Sequence, residues 1–236
     1  MLEDKLYPLL KLYEHVPDGV KNVVGTCYRF LPARWKWGAT YLDFQRLVKE
    51  VQEWDEDDIR EYQIKQLRST LMRAQASCPW YQHTFAQVKF RPENVITPED
   101  IAKAPFLEKK DLQDHLPDLV SREFSPRQRL YITTGGSTGV PVGFYLQRGV
   151  SRSKEQAFLE GMWSRAGWKP GARLVLVRGH VTTNSSLGRI ATYDATRNWL
   201  LMSSAHLTDE RMPEYLERIE RFKPEFLHIC CSLSTC

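Results

Sequence analysis

The stretch that decides the fold is Tyr131-Ile132-Thr133-Thr134-Gly135-Gly136-Ser137-Thr138-Gly139-Val140-Pro141-Val142-Gly143-Phe144-Tyr145. Two strand-like runs, 130–133 and 142–146, flank a loop of glycines and hydroxyl residues. Glycine allows backbone conformations that other residues rarely adopt, and it lets an anion approach the chain closely. Successive N–H groups in such a turn can bind an anion, and hydroxyl groups add donors. The loop therefore predicts a phosphate-binding site formed by Thr133, Thr134, Gly135, Gly136, Ser137, Thr138 and Gly139.

Two other interpretations of the loop come from its residues alone. Clusters of Gly, Ser and Thr between strands are commonly plain hairpin loops, and this interpretation stays open. A Walker-type phosphate loop has Lys followed by Ser or Thr after its last glycine, where a helix begins. Here Gly139 is followed by Val140 and Pro141, and then by a strand-like run. The Walker motif is therefore excluded, and the loop is predicted to connect two strands.

The loop also resembles a known family signature. Thr134-Gly135-Gly136-Ser137-Thr138-Gly139-x-Pro141 is similar to the phosphate loop of the adenylate-forming superfamily, which includes acyl-CoA synthetases. Within that superfamily the chain resembles the branch of phenylacetate–CoA ligases and CapK-like proteins. Three further segments carry the resemblance in the family's order, and they are Cys78-Pro79-Trp80-Tyr81, 104–112 and 222–228. The resemblance runs from about residue 42 to residue 228.

The chain departs from the family pattern in two places. The wider superfamily has Lys or Arg directly after the loop proline, whereas this chain has Val142; the CapK-like branch often lacks that lysine too. After His228 the branch continues with an aromatic-Pro-Ser turn, and here the sequence is Ile229-Cys230-Cys231. The family's substrate loop, ribose-binding acidic residue and C-terminal domain with its catalytic lysine do not follow. The resemblance therefore predicts the N-terminal part of an adenylate-forming enzyme fold, truncated within its sheet.

The resemblance implies ATP-dependent activation of a carboxylate. In the family, a carboxylate attacks ATP with Mg²⁺ to give an acyl-adenylate, and coenzyme A or another acceptor then displaces AMP. The expected partners are a small-molecule carboxylic acid, ATP, Mg²⁺ and coenzyme A, and the CapK-like branch suggests polysaccharide or capsule biosynthesis. A second hypothesis is a catalytically inactive fragment or interaction protein that retains the nucleotide-loop half of the fold. The sequence assigns no catalytic residue.

Hydrophobic spacing predicts a helical first half and a mixed second half. Apolar positions predict one helix over 42–54 and a second after an N-cap at Asp55. After Arg127 strands and helices alternate, with strands predicted at 173–177, 199–203 and 225–229 and helices opening at a Ser153–Gln156 capping box and after Thr208. In the first of these helices Phe158, Met162 and Trp163 are predicted to face inward. The predicted fold class is α/β, with a mainly helical region at 1–128 followed by a sheet flanked by helices at 129–236.

Ligands of α/β sheets bind at the carboxyl ends of strands. Arg178 and His180 follow the strand at 173–177, so both are predicted to line a substrate cleft, where Arg178 can pair with a phosphate or a carboxylate. The alternative is that both are ordinary loop residues. The remaining histidines and the five cysteines lack metal-ligand spacing, so no metal site is predicted.

Composition excludes several classes of protein. The 236 residues are 42% hydrophobic and 26% charged, which is ordinary for a globular protein. The net charge is +4 without a block of like charges, so nucleic acid is not an expected partner. No run approaches the ~18 apolar residues of a transmembrane helix, and the first residues are acidic, unlike a signal peptide. The expected location is the cytoplasm, and the truncated sheet edge is expected to favour self-association.

Overall fold

The computed structural model describes residues 16–134, 140–179 and 190–229. The chain forms two compact units. The sheet unit consists of the described parts of 1–42 and 155–236, and the hairpin unit consists of those of 43–154. The predicted α/β class, a helical region followed by sheets flanked by helices, is confirmed. The division predicted at residue 128 rested on a change in secondary structure, and that position lies inside the hairpin unit.

Helices and strands follow one another along the described chain in a mixed order. The α-helices are α1 (Asp18–Arg29), α2 (Ala33–Trp37), α3 (Ala39–Glu50), α4 (Glu56–Ser77), α5 (Pro79–Gln87), α6 (Lys109–Asp114), α7 (Leu116–Leu119), α8 (Ser151–Ser164) and α9 (Met212–Phe222). The strands are β1 (Arg129–Thr133), β2 (Gly143–Gln147), β3 (Leu174–Arg178), β4 (Ala191–Asp194), β5 (Trp199–Ser203) and β6 (Phe226–Ile229). Short 3₁₀ turns lie at Val51–Glu53, Pro92–Asn94, Pro98–Lys103, Pro126–Gln128 and Asp209–Arg211. No helix in the described ranges is long and apolar enough to cross a membrane.

The sheet unit is organised around β3, the central strand of a sheet with the order β4-β5-β3-β6. Strands β5 and β6 pair with β3 in parallel, and β4 pairs with β5 in antiparallel fashion. Four consecutive residues of β3, 174–177, are buried, as expected for a strand covered on both faces. The bounds predicted for β5 are confirmed, whereas β3 and β6 each begin one residue later than predicted and β4 was not predicted.

Side chains of β3 alternate between two apolar clusters because successive residues of a strand point to opposite faces. Val175 and Val177 pack with Ile190, Met202 and Tyr215, the last of these from α9. On the opposite face, the buried residues are Leu174, Leu176, Trp168 and Trp199, with Trp163 of α8 packed against them. Both faces of β3 are therefore covered, one by Tyr215 of α9 and the other by Trp163 of α8, Trp168 after it and Trp199 of β5.

A buried polar cluster joins α3 to α8 within the sheet unit. The Tyr41 hydroxyl donates a hydrogen bond to one carboxylate oxygen of Glu160, and the Gln156 amide donates to the other at 2.8 Å. All three side chains are buried. A buried carboxylate is tolerated only when hydrogen bonds replace its lost hydration. Tyr41 and Gln156 supply those bonds to Glu160.

The predicted start and inward face of α8 are wrong. The helix begins at Ser151, whose hydroxyl accepts a hydrogen bond from the Gln147 N–H at 3.0 Å. Ser153 lies inside the first turn and donates to the carbonyl of Gly149 at 3.3 Å, so it does not act as the N-cap of a capping box. Phe158 and Met162 are exposed, and of the predicted inward residues only Trp163 packs into the apolar cluster.

The hairpin unit combines packed helices with the β1–β2 pair. Helices α4 and α5 and the segment after them bury Leu71, Phe85, Phe90 and Val95 in one cluster. The predicted N-cap at Asp55 is confirmed, because its carboxylate accepts from the backbone N–H groups of Asp57 and Asp58 at 3.0 and 2.9 Å. These bonds satisfy two of the donors that a helix start leaves without partners.

Replacing Asp55 with Ala is expected to lower the free energy of unfolding by about 1 kcal/mol, since the two N–H groups lose their acceptor. Urea unfolding followed by far-UV circular dichroism measures this change. Glu61→Ala is the matched control, because it removes the same charge from an exposed position of the same helix and is expected to change stability by less than about 0.5 kcal/mol. Equal effects of the two substitutions would contradict the capping role.

Among the described strands, β6 lies at one end of the sheet order, and alternate residues of this strand are exposed. Leu227 and Ile229 are 54% and 53% exposed, whereas Phe226 packs against the cluster that contains Trp168 and Trp199. Unpaired strand edges and exposed apolar surface favour association. Self-association through this edge stays a prediction.

Candidate nucleotide and substrate site

The predicted phosphate loop connects β1 and β2. The two strands pair in antiparallel register from Arg129↔Gln147 to Thr133↔Gly143, which confirms both predicted strands. Beyond the last pair, the Thr134 N–H donates to the Val142 carbonyl at 2.9 Å, and the Val142 N–H donates to the Thr134 hydroxyl at 3.0 Å. These two bonds, called the loop clamp from here on, close the base of the loop.

Thr134 is predicted to bind phosphate, and its side chain also helps to close the base of the loop. Its hydroxyl oxygen accepts from Val142, which leaves its own proton available to a further acceptor such as a phosphate oxygen. Thr133 ends β1 and is exposed. The other predicted phosphate ligands, Gly135, Gly136, Ser137, Thr138 and Gly139, lie outside the described residues, and their contacts stay a prediction.

Val142 occupies the position at which the superfamily often carries Lys or Arg. Its side chain is buried, and both its N–H and its carbonyl take part in the loop clamp. A cation at this position would have to be buried or the hairpin would have to shift. Residue 142 therefore contributes packing and backbone hydrogen bonds to the site, and no charge.

Gly143 allows a close approach at the loop base. A Cβ atom added there would lie 2.1 Å from the Tyr131 hydroxyl oxygen, so the tyrosine crosses directly over the glycine. The Tyr131 ring then meets Tyr145 edge-on, with ring centroids 5.3 Å apart. The glycine leaves room for this exposed aromatic pair beside the loop clamp.

Arg178 lies at the carboxyl end of β3, as predicted. Its side chain is exposed, and its carbonyl accepts from the Ser204 N–H at 2.8 Å. The parallel register places Arg178 beside Ser203 of β5, and both lie on the face that carries Leu176 and Leu201. His180, the second residue predicted for the cleft, lies outside the described residues.

Ser203 is a candidate that the sequence did not single out. Its side chain is 3% exposed, and its hydroxyl has no hydrogen-bond partner among the described residues. Its backbone is fixed on both sides, because its N–H donates to the Ile190 carbonyl at 2.9 Å and its carbonyl accepts from the Tyr215 hydroxyl at 2.6 Å. The rule that favours the carboxyl end of β3 applies equally to β5, and that signal could have identified Ser203.

Burial raises the pKa of Tyr215 above its ordinary value, with Glu214 acting in the same direction and Arg211 against it. The phenol therefore stays protonated at neutral pH and remains a donor to Ser203. In the sheet unit Arg178 and Ser203 are register partners, and Tyr215 reaches the Ser203 carbonyl from the apolar cluster on the other face, while Thr133 and Thr134 belong to the hairpin unit. The described part of the chain holds no group of three His, Cys, Asp or Glu side chains that could bind a metal ion.

The chain matches the known proteins described below over only part of their length. No protein-family profile matches the chain. The chain is 38% identical over 61 residues to phenylacetate-coenzyme A ligase of Pseudomonas putida, a match covering 26% of this chain and 14% of the relative. It is 25% identical over 134 residues to Protein CapK of Staphylococcus aureus, covering 56% of this chain and 29% of the relative. The chain thus spans less than a third of the length of these relatives.

Solved structures show the same fold. The structure of 2-hydroxyisobutyryl-CoA ligase in complex with 2-HIB-AMP and CoA superposes with a TM-score of 0.52 and 18% identity, over 73% of this chain and 37% of the ligase. Its open conformation gives the same TM-score at 17% identity. Four observations point to the same kind of protein. They are the loop sequence, the position of the loop between two strands, the relatives matched in sequence, and the fold shared with the solved ligases. The chain is similar to adenylate-forming ligases in sequence and in fold, and its partial coverage fits an N-terminal part of such an enzyme.

Proposed function

We propose that this chain binds ATP through the β1–β2 loop and serves in ATP-dependent activation of a carboxylic acid as an acyl-adenylate. The observation that supports this function most strongly is the loop clamp. It holds together the ends of a loop made of glycines and hydroxyl residues, at the place where the family signature lies. A loop closed at its base can direct several N–H groups at one anion without reorganising when the anion binds.

Mg²⁺ fits this proposal as a companion of the nucleotide. Mg²⁺ is usually held by substrate phosphates and water together with one or two protein ligands. The described residues contain no acidic cluster that would bind the ion by itself, and the loop hydroxyls are oxygen ligands of the kind the ion prefers. When bound, Mg²⁺ would neutralise phosphate charge, a task that the buried Val142 does not perform.

The carboxylic acid is proposed to bind at the carboxyl ends of β3 and β5. Arg178 supplies an exposed guanidinium, which pairs well with carboxylates and phosphates. Ser203 adds a hydroxyl on the same face of the sheet, and His180 is proposed as a third contact. Coenzyme A is proposed as the acceptor, since the similar 2-hydroxyisobutyryl-CoA ligase was solved with CoA and an acyl-AMP. By likeness to Protein CapK, the pathway proposed is polysaccharide or capsule biosynthesis in the cytoplasm.

Calorimetry with ATP and Mg²⁺ tests the first part of the proposal, and ATP–pyrophosphate exchange with a panel of carboxylic acids tests the second. We expect saturable ATP binding that is lost when the loop is altered, and exchange that depends on the acid. No binding of ATP at millimolar concentration would contradict the proposed function. Binding without exchange for any acid would favour the alternative, a catalytically inactive nucleotide-binding or interaction protein.

A further inference from the structure

The hairpin unit contains a cavity at the free edge of β2. Its volume is about 370 Å³, and four consecutive residues of the strand, 144–147, border it. Because successive side chains of a strand point to opposite faces, a cavity bordered by all four lies at the edge of the strand. Among the described strands β2 pairs with β1 alone, so its other edge is free. The described residues around this space, called the edge cavity from here on, all belong to the hairpin unit.

The walls of the edge cavity are mostly apolar. They come from α6, α7, the segment after α7 and β2, and their apolar residues include Leu112, Leu116, Leu119, Phe124, Phe144 and Leu146. Each of these side chains is partly buried, as expected for residues that border an open space. Cavities that bind small molecules are mostly apolar and usually have volumes of about 300–1,000 Å³. The edge cavity lies at the lower end of this range.

Polar groups meet at one end of the edge cavity. Arg129 and Gln147 lie directly opposite each other in the antiparallel register of β1 and β2, so their side chains are neighbours on one face. The Arg129 Nη2 donates to the Ser121 carbonyl at 2.7 Å, and the Gln147 N–H donates to the Ser151 hydroxyl at 3.0 Å. All four residues border the cavity. They lie at the end of the hairpin that is remote from the loop clamp.

The charge at this end is positive. Among the described residues that border the edge cavity, Arg129 alone is charged, and its buried Nε has no hydrogen-bond acceptor. A second guanidinium is close, since the Arg148 Nε donates to the Arg129 carbonyl at 2.9 Å. Glu123, which follows Ser121 closely in sequence, is already paired with Arg73 at 3.0 Å. The polar end therefore favours an anionic group, and a guanidinium binds a carboxylate especially well.

We propose that the edge cavity binds a small carboxylic acid with an apolar body. The carboxylate pairs with Arg129 and accepts from the Gln147 amide, and the body lies against the leucine and phenylalanine side chains. At roughly 30 Å³ for each water-sized group, the cavity admits about 12 non-hydrogen atoms. A helix, with its diameter of about 10–12 Å, is too large for it. The edge cavity shares no residue with the proposed substrate site, and this proposal does not depend on the proposed function.

Calorimetry with octanoate tests the proposal on the intact chain. We expect saturable binding of octanoate to the wild type and at least about tenfold weaker binding of 1-octanol, because the alcohol lacks the charge that pairs with Arg129. Arg129→Gln is expected to weaken octanoate binding by about tenfold or more and to leave octanol binding unchanged. Arg127→Gln is the matched control, because it removes the same charge from an exposed residue outside the cavity wall, and it should change neither affinity.

A second variant tests the apolar part of the cavity. Leu119→Trp fills the space with a larger side chain and is expected to abolish the binding of both octanoate and octanol. Leu107→Trp is its control, because Leu107 is 37% exposed and lies outside the cavity wall. Thermal unfolding followed by far-UV circular dichroism shows which variants stay folded. Arg129 also holds the Ser121 carbonyl, so Arg129→Lys, which keeps the charge, is the further variant if Arg129→Gln unfolds; it should retain the preference for octanoate.

Several results would overturn the proposal. They are the absence of octanoate binding at millimolar concentration, equal affinities of the wild type for octanoate and octanol, and octanoate binding that neither Arg129→Gln nor Leu119→Trp weakens. If Arg178→Gln removed octanoate binding and Arg129→Gln did not, the acid would occupy the proposed substrate site, and the assignment to the edge cavity would be wrong. None of these results bears on ATP binding, which is measured separately.

Discussion

Replacing Gly136 with Val is expected to weaken ATP binding by roughly 100-fold or more, equivalent to about 2.7 kcal/mol of binding free energy. The residue lies at the centre of the glycine-rich sequence 135–139, where the proposed function requires a phosphate to approach backbone N–H groups closely. A branched side chain occupies that space and restricts the backbone conformations that the loop can adopt. Calorimetry with ATP and Mg²⁺ measures the affinity directly.

Thermal unfolding of the same variant separates a binding effect from a folding effect. The loop clamp involves Thr134 and Val142 and not residue 136, so the unfolding transition should stay where it is in the wild type. Gly19→Val is the matched control, because Gly19 has open space around it and lies outside the loop. Unchanged affinity in Gly136→Val would refute the phosphate assignment. Parallel losses of stability and affinity would not separate the two interpretations, because a plain hairpin is also expected to be damaged by the substitution.

The second large effect is expected in the sheet unit, where Tyr215→Ala should lower the free energy of unfolding by about 3–5 kcal/mol. Tyr215 is 2% exposed and packs with Val175, Val177, Ile190 and Met202. Its removal leaves a cavity beside the central strand, and it also takes away the donor to the Ser203 carbonyl. Urea unfolding followed by far-UV circular dichroism measures the loss.

Two further variants separate the loss of the Tyr215 ring from the loss of its hydroxyl hydrogen bond and from a general effect of substitution in α9. Tyr215→Phe keeps the ring and removes only the hydroxyl, so it should cost about 1–2 kcal/mol. Leu216→Ala changes the neighbouring residue of α9, which is 51% exposed, and it should cost less than about 0.5 kcal/mol. If Tyr215→Ala were no more destabilising than Tyr215→Phe, the ring would not fill the core as the structure indicates.

Local signals in the sequence predicted much of the fold. The bounds of β5 and the N-cap at Asp55 follow from short-range patterns, and both are confirmed. The start of α8 was wrong because a serine followed three residues later by glutamine fits a capping box, while Ser153 instead bonds back to Gly149 from within the first turn. Strand β4 was missed because it is a short edge strand, and its pairing with β5 provides most of its order.

Long-range contacts account for the remaining errors. Phe158 and Met162 are exposed, whereas the same helix buries Gln156 and Glu160. Polar residues can be buried there because Tyr41, distant in sequence, supplies a hydrogen bond. No pattern within α8 contains that information. The same holds for Ser203, whose importance depends on its register with Arg178 and on Tyr215 from another element.

The hydrogen bond between Tyr41 and Glu160 has a consequence for synthesis on the ribosome. Its partners are 119 residues apart, so at bacterial or eukaryotic elongation rates of ~5–20 residues per second Tyr41 waits roughly 6–24 s for Glu160 to be made. The hairpin unit, 43–154, is continuous and is completed during that interval, whereas the sheet unit is assembled from two separate stretches. We therefore expect nascent chains to complete the hairpin unit first, and the early helices to depend on the late strands for their final place.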